Sequence, residues 1–328
     1  MEGRPKGGGG SFADIKLKER WRKSMIHNIK TEKIGRPVRV VSIGFDTNIG
    51  ESNKEEVYNI VDAEGVKGAD IIILPETWRG QQPEPIDGDT VHELGALSKK
   101  NQVYIICPIY RLSGQKRYNS AILLDRQGQV ACVYDKVYPY WSEFDLEPPV
   151  EPGKDSPVFE TDFGRIGMAI CFDSNFPEVW KRMADQGAEL ILWPSAYSAG
   201  TTLQAHALNN HYYIVTSTLE GDCLVYDITG KEILYEKSGP INVSRITLDL
   251  DRGIYHENFN TEKREQLLAA YPDGIMQEIY MKREQWFVLC AKRPGISARE
   301  LAKSFGLEEL RAYQNRSRTE IDKMRYES

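Results

Sequence analysis

The stretch GRIGMAICFDSNFPEVWKRMADQGAELILWPS, residues 164–195, decides how the chain folds. An apolar run ends on Cys171, and Asp173 and the Pro177-Glu178 pair follow within seven residues. FPEVWKRMADQG then reads as a helix, with Pro177 in its first turn, where a missing N–H is harmless, and Gly187 at its end. AELILWPS returns as a second apolar run. The order is strand, helix, strand.

The same grammar extends outward in both directions. Upstream, VRVVSIGF is a strand rich in β-branched residues, SNKEEVYNIVDAEGVKGA carries Val57, Ile60 and Val61 at helical spacing behind a Ser52–Glu55 capping-box signature, and DIIILPE is another strand. VYIICPIY, SAILLD and QVACVYDK follow; downstream, YIVTSTLE, DCLVYDITGKEIL with its D-x-T-G turn, and SRITLDLD close a strand-rich body. Apolar runs without polar alternation imply sheets covered on both faces, with helix layers outside and a sheet-to-sheet core between. No internal repeat is visible.

Composition narrows the class. The chain has 328 residues, 41% hydrophobic and 27% charged, with a net charge of −6, as expected of a folded globular protein. Its apolar runs are far below the roughly 18–20 residues that cross a bilayer. Residues 1–16 lack the apolar core of a secretory signal, so a cytoplasmic protein with no membrane partner is expected. Five cysteines (Cys107, Cys132, Cys171, Cys223 and Cys290), odd in number and never in a C-x-x-C pair, predict reduced thiols and neither a disulfide framework nor a thiolate metal site. Four of them, all but Cys171, read as core fillers. His206 and His211, five residues apart, do not share a helix face as a metal-ligating pair would. No metal or organic cofactor is expected.

Three regions are read from the charge and pattern. Residues 1–37 form a basic arm with ten Lys/Arg against four Asp/Glu, including a flexible GGGG linker at 7–10; residues 38–250 are the folded body; residues 251–328 are a helical extension. In the extension, Ser297 and Glu300 make a second capping box, and Gly306 turns the chain into another helix, a superficially helix-turn-helix arrangement. The acidic chain and the small positive excess here argue against nucleic acid as partner, and favour a helical hairpin used in subunit contact.

Three strand ends deliver chemistry: Glu76 after IIILP, Lys136 after VACVYD, and Cys171 after GMAI. Functional side chains of sheet proteins collect beyond the carboxyl ends of strands. A thiol is protonated at neutral pH unless a base or a cation acts on it. Glu76 supplies the base, and Lys136, with a backbone N–H such as that of Phe172, supplies charge for an oxyanion.

LPETW, YDKVYPYWSEFD, CFDSNFPE and LQAHALNNHYYIVTSTLEGD together resemble the nitrilase or carbon–nitrogen hydrolase superfamily over roughly residues 38–250. The resemblance implies an α/β fold of αββα four-layer sandwich type, pairing as a homodimer or larger homo-oligomer, and a Glu-Lys-Cys triad of Glu76 (base and acid), Lys136 (transition-state stabiliser) and Cys171 (nucleophile). It also implies a second glutamate ahead of a Pro-Gly, here Pro152-Gly153. Glu147 stands nearer the usual distance than the alternative, Glu143. Phe172, Tyr138, Trp193 and Tyr197 are the residues expected against substrate.

CFD, rather than C-W-E, points by resemblance to amide over nitrile hydrolysis. Ser174 and Asn175 stand where arginines would bind a carboxylate in hydrolases of N-carbamoyl amino acids, so the expected substrate is a neutral or cationic small linear amide or ureido compound. A nitrilase, an acyl-transferring relative and a non-catalytic regulatory protein using the C-terminal helices are the alternatives.

Overall fold

The computed structural model describes residues 33–326; the GGGG linker and nearly all of the basic arm lie outside them. Along the chain, β1 (Pro37–Phe45) leads through two short-spaced helices, α1 (Thr47–Ser52) and α2 (Lys54–Val66), to β2 (Ile71–Ile73), then β3 (Glu84–Pro85), α3 (Asp89–Asn101) and the strands β4 (Tyr104–Ser113), β5 (Lys116–Leu124) and β6 (Val130–Asp135). The second half repeats this plan with β7 (Val158–Glu160), β8 (Arg165–Met168), α4 (Pro177–Asp185), β9 (Leu190–Ser195), α5 (Thr201–Asn210), β10 (Tyr213–Thr218), β11 (Asp222–Tyr226) and β12 (Glu232–Lys237). β13 (Ile241–Asp249) then returns to lie antiparallel against β1.

Two sheets result, ordered β13-β1-β2-β4-β5-β6, with β3 beside β4, and β12-β11-β10-β9-β8-β7. Each has a parallel centre, β1-β2-β4 in one and β8-β9-β10 in the other, flanked by antiparallel strands. The two-residue period of a strand sorts the apolar runs between layers. Ile71 and Ile73 face a central core with Ile166, Met168, Leu190 and Leu192, while Ile72 packs outward with Val57, Val61 and Leu94 of α2 and α3. On the other side, Ile191 and Trp193 pack against Val179, Trp180, Met183 and Leu203 of α4 and α5. The layers are α, β, β, α.

The Ser52–Glu55 capping box does not form. Ser52 ends α1, where its hydroxyl donates back to the Asn48 carbonyl, and Asn53 occupies the N-cap of α2. A serine already inside a helical turn bonds the carbonyl four residues back instead of capping the next helix.

After the body come β14 (Gly253–His256), α6 (Thr261–Ala270), β15 (Ile275–Met281), β16 (Trp286–Ala291), α7 (Ala298–Ser304) and α8 (Leu310–Tyr326). The expected helices and the Ser297 cap are present, Ser297 accepting from the Glu300 N–H. A three-stranded antiparallel sheet, β14-β16-β15, accompanies them. The extension is therefore mixed α/β. The extension shares the body's core: Trp286 and Val288 of its sheet and Leu310 of α8 join the cluster that contains Leu190 and Val215. Polar struts cross the same boundary, among them Arg252 to Asp227 (3.1 Å) and Arg311 to the Ala188 carbonyl (2.6 Å). No helix among the described residues is long and apolar enough to cross a membrane.

His211 sits at this junction in the left-handed region (φ 54°), its Nδ1 3.2 Å from the Ile228 carbonyl and its ring 6.2 Å from that of Trp286. Burial pushes the imidazole down to about 4, with the Ile228 carbonyl opposing and Arg311 reinforcing. The folded protein thus holds His211 neutral, whereas the unfolded chain protonates it near pH 6.5. Its contribution to stability is complete above pH 6.5 and is lost as pH falls toward 4, at up to about 1.4 kcal/mol per pH unit. The Asp173 carboxyl, which burial pushes up to about 6, titrates with the opposite sign, so the difference between the two proteins is the informative quantity. Urea unfolding of wild type and His211→Asn, a side chain that tolerates this φ, should show a steeper acid loss for wild type between pH 6.5 and 4; parallel curves would show that His211 is not buried neutral.

Candidate active site

Both sheets deliver residues to one place. Glu76 follows β2 and Lys136 follows β6 of the first sheet; Cys171 follows β8 and Ala196 follows β9 of the second. Lys136 is 1% exposed, Glu76 3% and Glu143 5%. The Lys136 Nζ donates to Glu76 Oε1 and to Glu143 Oε2, each at 2.7 Å. Asn119 donates its amide to Oε1 of the same two glutamates, again at 2.7 Å each.

Counting donors separates the two carboxylates. Glu143 receives Lys136, Asn119, Tyr110 Oη (3.3 Å) and the Tyr140 N–H (2.7 Å). Each of its oxygens therefore carries two donors, the capacity of a carboxylate oxygen. Glu76 receives Lys136 and Asn119 on one oxygen but only the Ala196 N–H (2.7 Å) on the other. Glu76 alone keeps an acceptor position for a travelling proton.

Burial opposes the charge on Lys136, yet Glu76, the Cys171 sulfur once it is ionised, and Glu143 outweigh it and hold the ammonium well above the ordinary lysine range. Cys171 is pushed the other way: burial first and then Glu76 raise its thiol, with Lys136, the Ala196 N–H and the Ser195 hydroxyl opposing. At neutral pH this is a protonated thiol beside a carboxylate and a fixed cation. Its backbone is left-handed, φ 46°, a conformation that costs a residue with a Cβ roughly 1–2 kcal/mol. The Trp193 indole, donating to the Cys171 carbonyl at 3.2 Å, helps to hold it.

Glu76, Lys136 and Cys171 converge as the strand-end reading expects, and Glu143, not Glu147, completes the group. The preference for Glu147 is corrected by the local fold. A 3-10 turn over Trp141–Asp145 tucks Glu143 inward, where it accepts the N–H of Tyr140. Glu147 lies beyond the turn with its side chain exposed, and only its carbonyl is engaged, by Arg117 at 2.9 Å. Pro152-Gly153 has a positional reason: the Gly153 N–H donates to the Lys136 carbonyl at 2.8 Å, and a Cβ there would stand 2.0 Å from the Asp135 carbonyl oxygen.

Trp193 is also corrected, from a pocket residue to a fully buried one that holds the Cys171 backbone. Phe172 is half-buried, edge-on to Tyr140 and Phe176 at 5.3 and 5.4 Å. Tyr138 stacks on Phe176 at 3.6 Å and donates to Glu178, and the Tyr197 and Ser174 hydroxyls meet at 2.6 Å. His206 stacks on Trp180. Asn119, Tyr110 and the Ala196 N–H were not anticipated. The one available sign was Asn119, a polar residue two positions before the apolar run AILL.

Comparison with known proteins follows the same line. A carbon-nitrogen hydrolase family profile matches residues 51–252. The chain belongs to the carbon-nitrogen hydrolase family. Among curated members of the family, it is 27% identical over 298 residues to an N-carbamoylputrescine amidase of Arabidopsis thaliana, covering 82% of this chain and 96% of that protein. It is 28% identical over 200 residues to a deaminated glutathione amidase of Synechocystis (52% and 72%) and 24% identical over 275 residues to an omega-amidase of Mus musculus (76% and 95%). In fold it is similar to Nit3 of Saccharomyces cerevisiae, of branch 10 of the nitrilase superfamily (TM-score 0.57, 19% identity, 70% of this chain and 95% of that one). It is likewise similar to an amidase of Nesterenkonia from that superfamily (TM-score 0.57, 17% identity, 73% and 98%).

The donor count generates a direct test. Glu143→Gln places an amide N–H against existing donors and should lower stability by about 1–3 kcal/mol, whereas Glu147→Gln, at the surface, should stay within about 0.5 kcal/mol of wild type. Thermal unfolding of both variants checks this; equal effects would contradict the placement of Glu143.

Proposed function

We propose that this carbon-nitrogen hydrolase cleaves a small linear amide or N-carbamoyl (ureido) compound through a cysteine thioester, releasing ammonia or an amine. The observation that carries the reading is the chain Glu76–Lys136–Glu143, with both N–O distances 2.7 Å, set beside a buried, protonated thiol. As substrate binds, Glu76 takes the Cys171 proton while Sγ bonds to the substrate carbonyl carbon. The carbonyl oxygen becomes an oxyanion facing Lys136, whose charge is fixed before the reaction begins. Collapse breaks the C–N bond, and the proton on Glu76 passes to the departing nitrogen. Water then loses a proton to Glu76 and attacks the thioester; the C–S bond breaks, the acid leaves, and the proton returns to sulfur. Glu143, with four donors on its two oxygens, takes no part in these transfers.

Substrate charge follows from what lies next to the nucleophile. Ser174 is engaged with Tyr197, and Asn175 with the Phe172 carbonyl at 3.2 Å. Neither position offers a cation for a substrate carboxylate. The neighbouring surface is aromatic, with Tyr140 50% and Tyr197 36% exposed, and Glu178 lies against Tyr138. Such walls suit a neutral or cationic chain, the latter through cation–π contact. The similarity to an N-carbamoylputrescine amidase, over most of both chains, supports the same class.

Intact mass and product release with propionamide, N-carbamoylputrescine and butyronitrile test the reading, using wild type, Cys171→Ala and Glu76→Gln. Turnover of the amide or ureido compound should vanish in Cys171→Ala and fall at least about a hundredfold in Glu76→Gln. Turnover confined to the nitrile, or persisting without Cys171, would overturn it.

A further inference from the structure

Asp173 stands two residues after Cys171 and has no part in the proton transfers above. It is fully buried, and three donors converge on its carboxylate. Oδ2 accepts from the Ile170 N–H at 2.9 Å and from the Tyr134 hydroxyl at 2.6 Å, and Oδ1 accepts from the Tyr138 N–H at 2.9 Å. Ile170 immediately precedes the nucleophile. Tyr134 and Tyr138 flank Lys136, two residues before it and two after. One carboxylate therefore grips the turn bearing Cys171, from the second sheet, and both sides of the segment bearing Lys136, from the first.

Its own main chain is fixed as well. The Asp173 N–H donates to the Ile170 carbonyl at 3.0 Å, and its carbonyl accepts from the Trp180 indole at 2.9 Å. A group held this firmly transmits position, because neither anchor moves without breaking a buried charge-assisted hydrogen bond.

We propose that Asp173 is the positioning residue that sets the Cys171–Lys136 geometry, by binding the backbone next to the nucleophile and the residues on both sides of the lysine. The inference rests on the reading of Cys171 and Lys136 as reacting groups. Electrostatics agree with it: burial pushes the carboxyl up to about 6, while Tyr134, the Ile170 N–H, Lys136 and the Tyr138 N–H draw it down. At neutral pH the group is an anion and can accept from all three donors. An asparagine cannot, since its NH₂ would confront one of them.

Kinetics on propionamide and N-carbamoylputrescine, with the folded fraction measured by circular dichroism and active-site titration, test this. Asp173→Asn should lower kcat at least about tenfold with KM within about twofold of wild type, as misalignment of reacting groups does. Tyr134→Phe removes one donor of three and leaves both backbone donors; it should lower kcat severalfold in the same manner, and carries the test if Asp173→Asn does not fold. Wild-type kcat per folded molecule in Tyr134→Phe and in any folded Asp173→Asn would overturn the positioning role while leaving the catalytic reading intact. A wild-type protein that turns over neither compound would remove both.

Discussion

The site depends on one ammonium group held between two carboxylates and away from water. Removing Lys136 would leave Glu76 and Glu143 facing each other in a buried pocket, and removing either glutamate would leave part of a buried cation unanswered. Breaking a buried pair by deleting one partner typically costs about 3–5 kcal/mol. The rest of the local structure serves this arrangement. Asn119 gives one N–H to each carboxylate, the 3-10 turn at Trp141–Asp145 folds Glu143 inward, and Gly153 comes close enough to hold the Lys136 carbonyl.

That constraint also divides the labour. Glu143 has every acceptor position filled by a donor and none left for another. Glu76 has one oxygen less occupied, beside a thiol that burial keeps protonated. The two glutamates are chemically identical and differ only in how many donors reach them. The two-sheet architecture makes the meeting possible, because Glu76 and Lys136 follow strands of one sheet while Cys171 follows a strand of the other.

Much of this was legible in the sequence for a simple physical reason. A strand buried on both faces is written as an unbroken apolar run, so what ends it is conspicuous: Glu76 and Cys171 follow such runs, whereas Lys136 follows β6, a partly exposed edge strand, and is marked only by its place at that strand's end. Glu143 ranked only second because it lies in a non-repetitive turn, where spacing carries little information; Glu147 matched the count to Pro-Gly but falls past the turn and faces solvent. Trp193 continues an apolar run and gives no sign that its indole N–H holds Cys171. The C-terminal sheet escaped notice because the polar tip KREQ interrupts the strands IMQEIYM and WFVLCA, and their neighbours are strong helix formers. The Ser52 capping signature failed because an unanticipated helical turn already contained that serine.

The central claim is that Lys136 is a permanent buried cation. Side-chain ¹⁵N NMR of lysine-labelled protein, with the Lys136 Nζ assigned through its backbone, measures this directly across a pH titration. A permanent ammonium gives a signal, slow to exchange with water, that persists well above the ordinary lysine range of about 10.4 for as long as the protein stays folded. A Lys136 Nζ that loses its proton at or below that range in the folded state would contradict it.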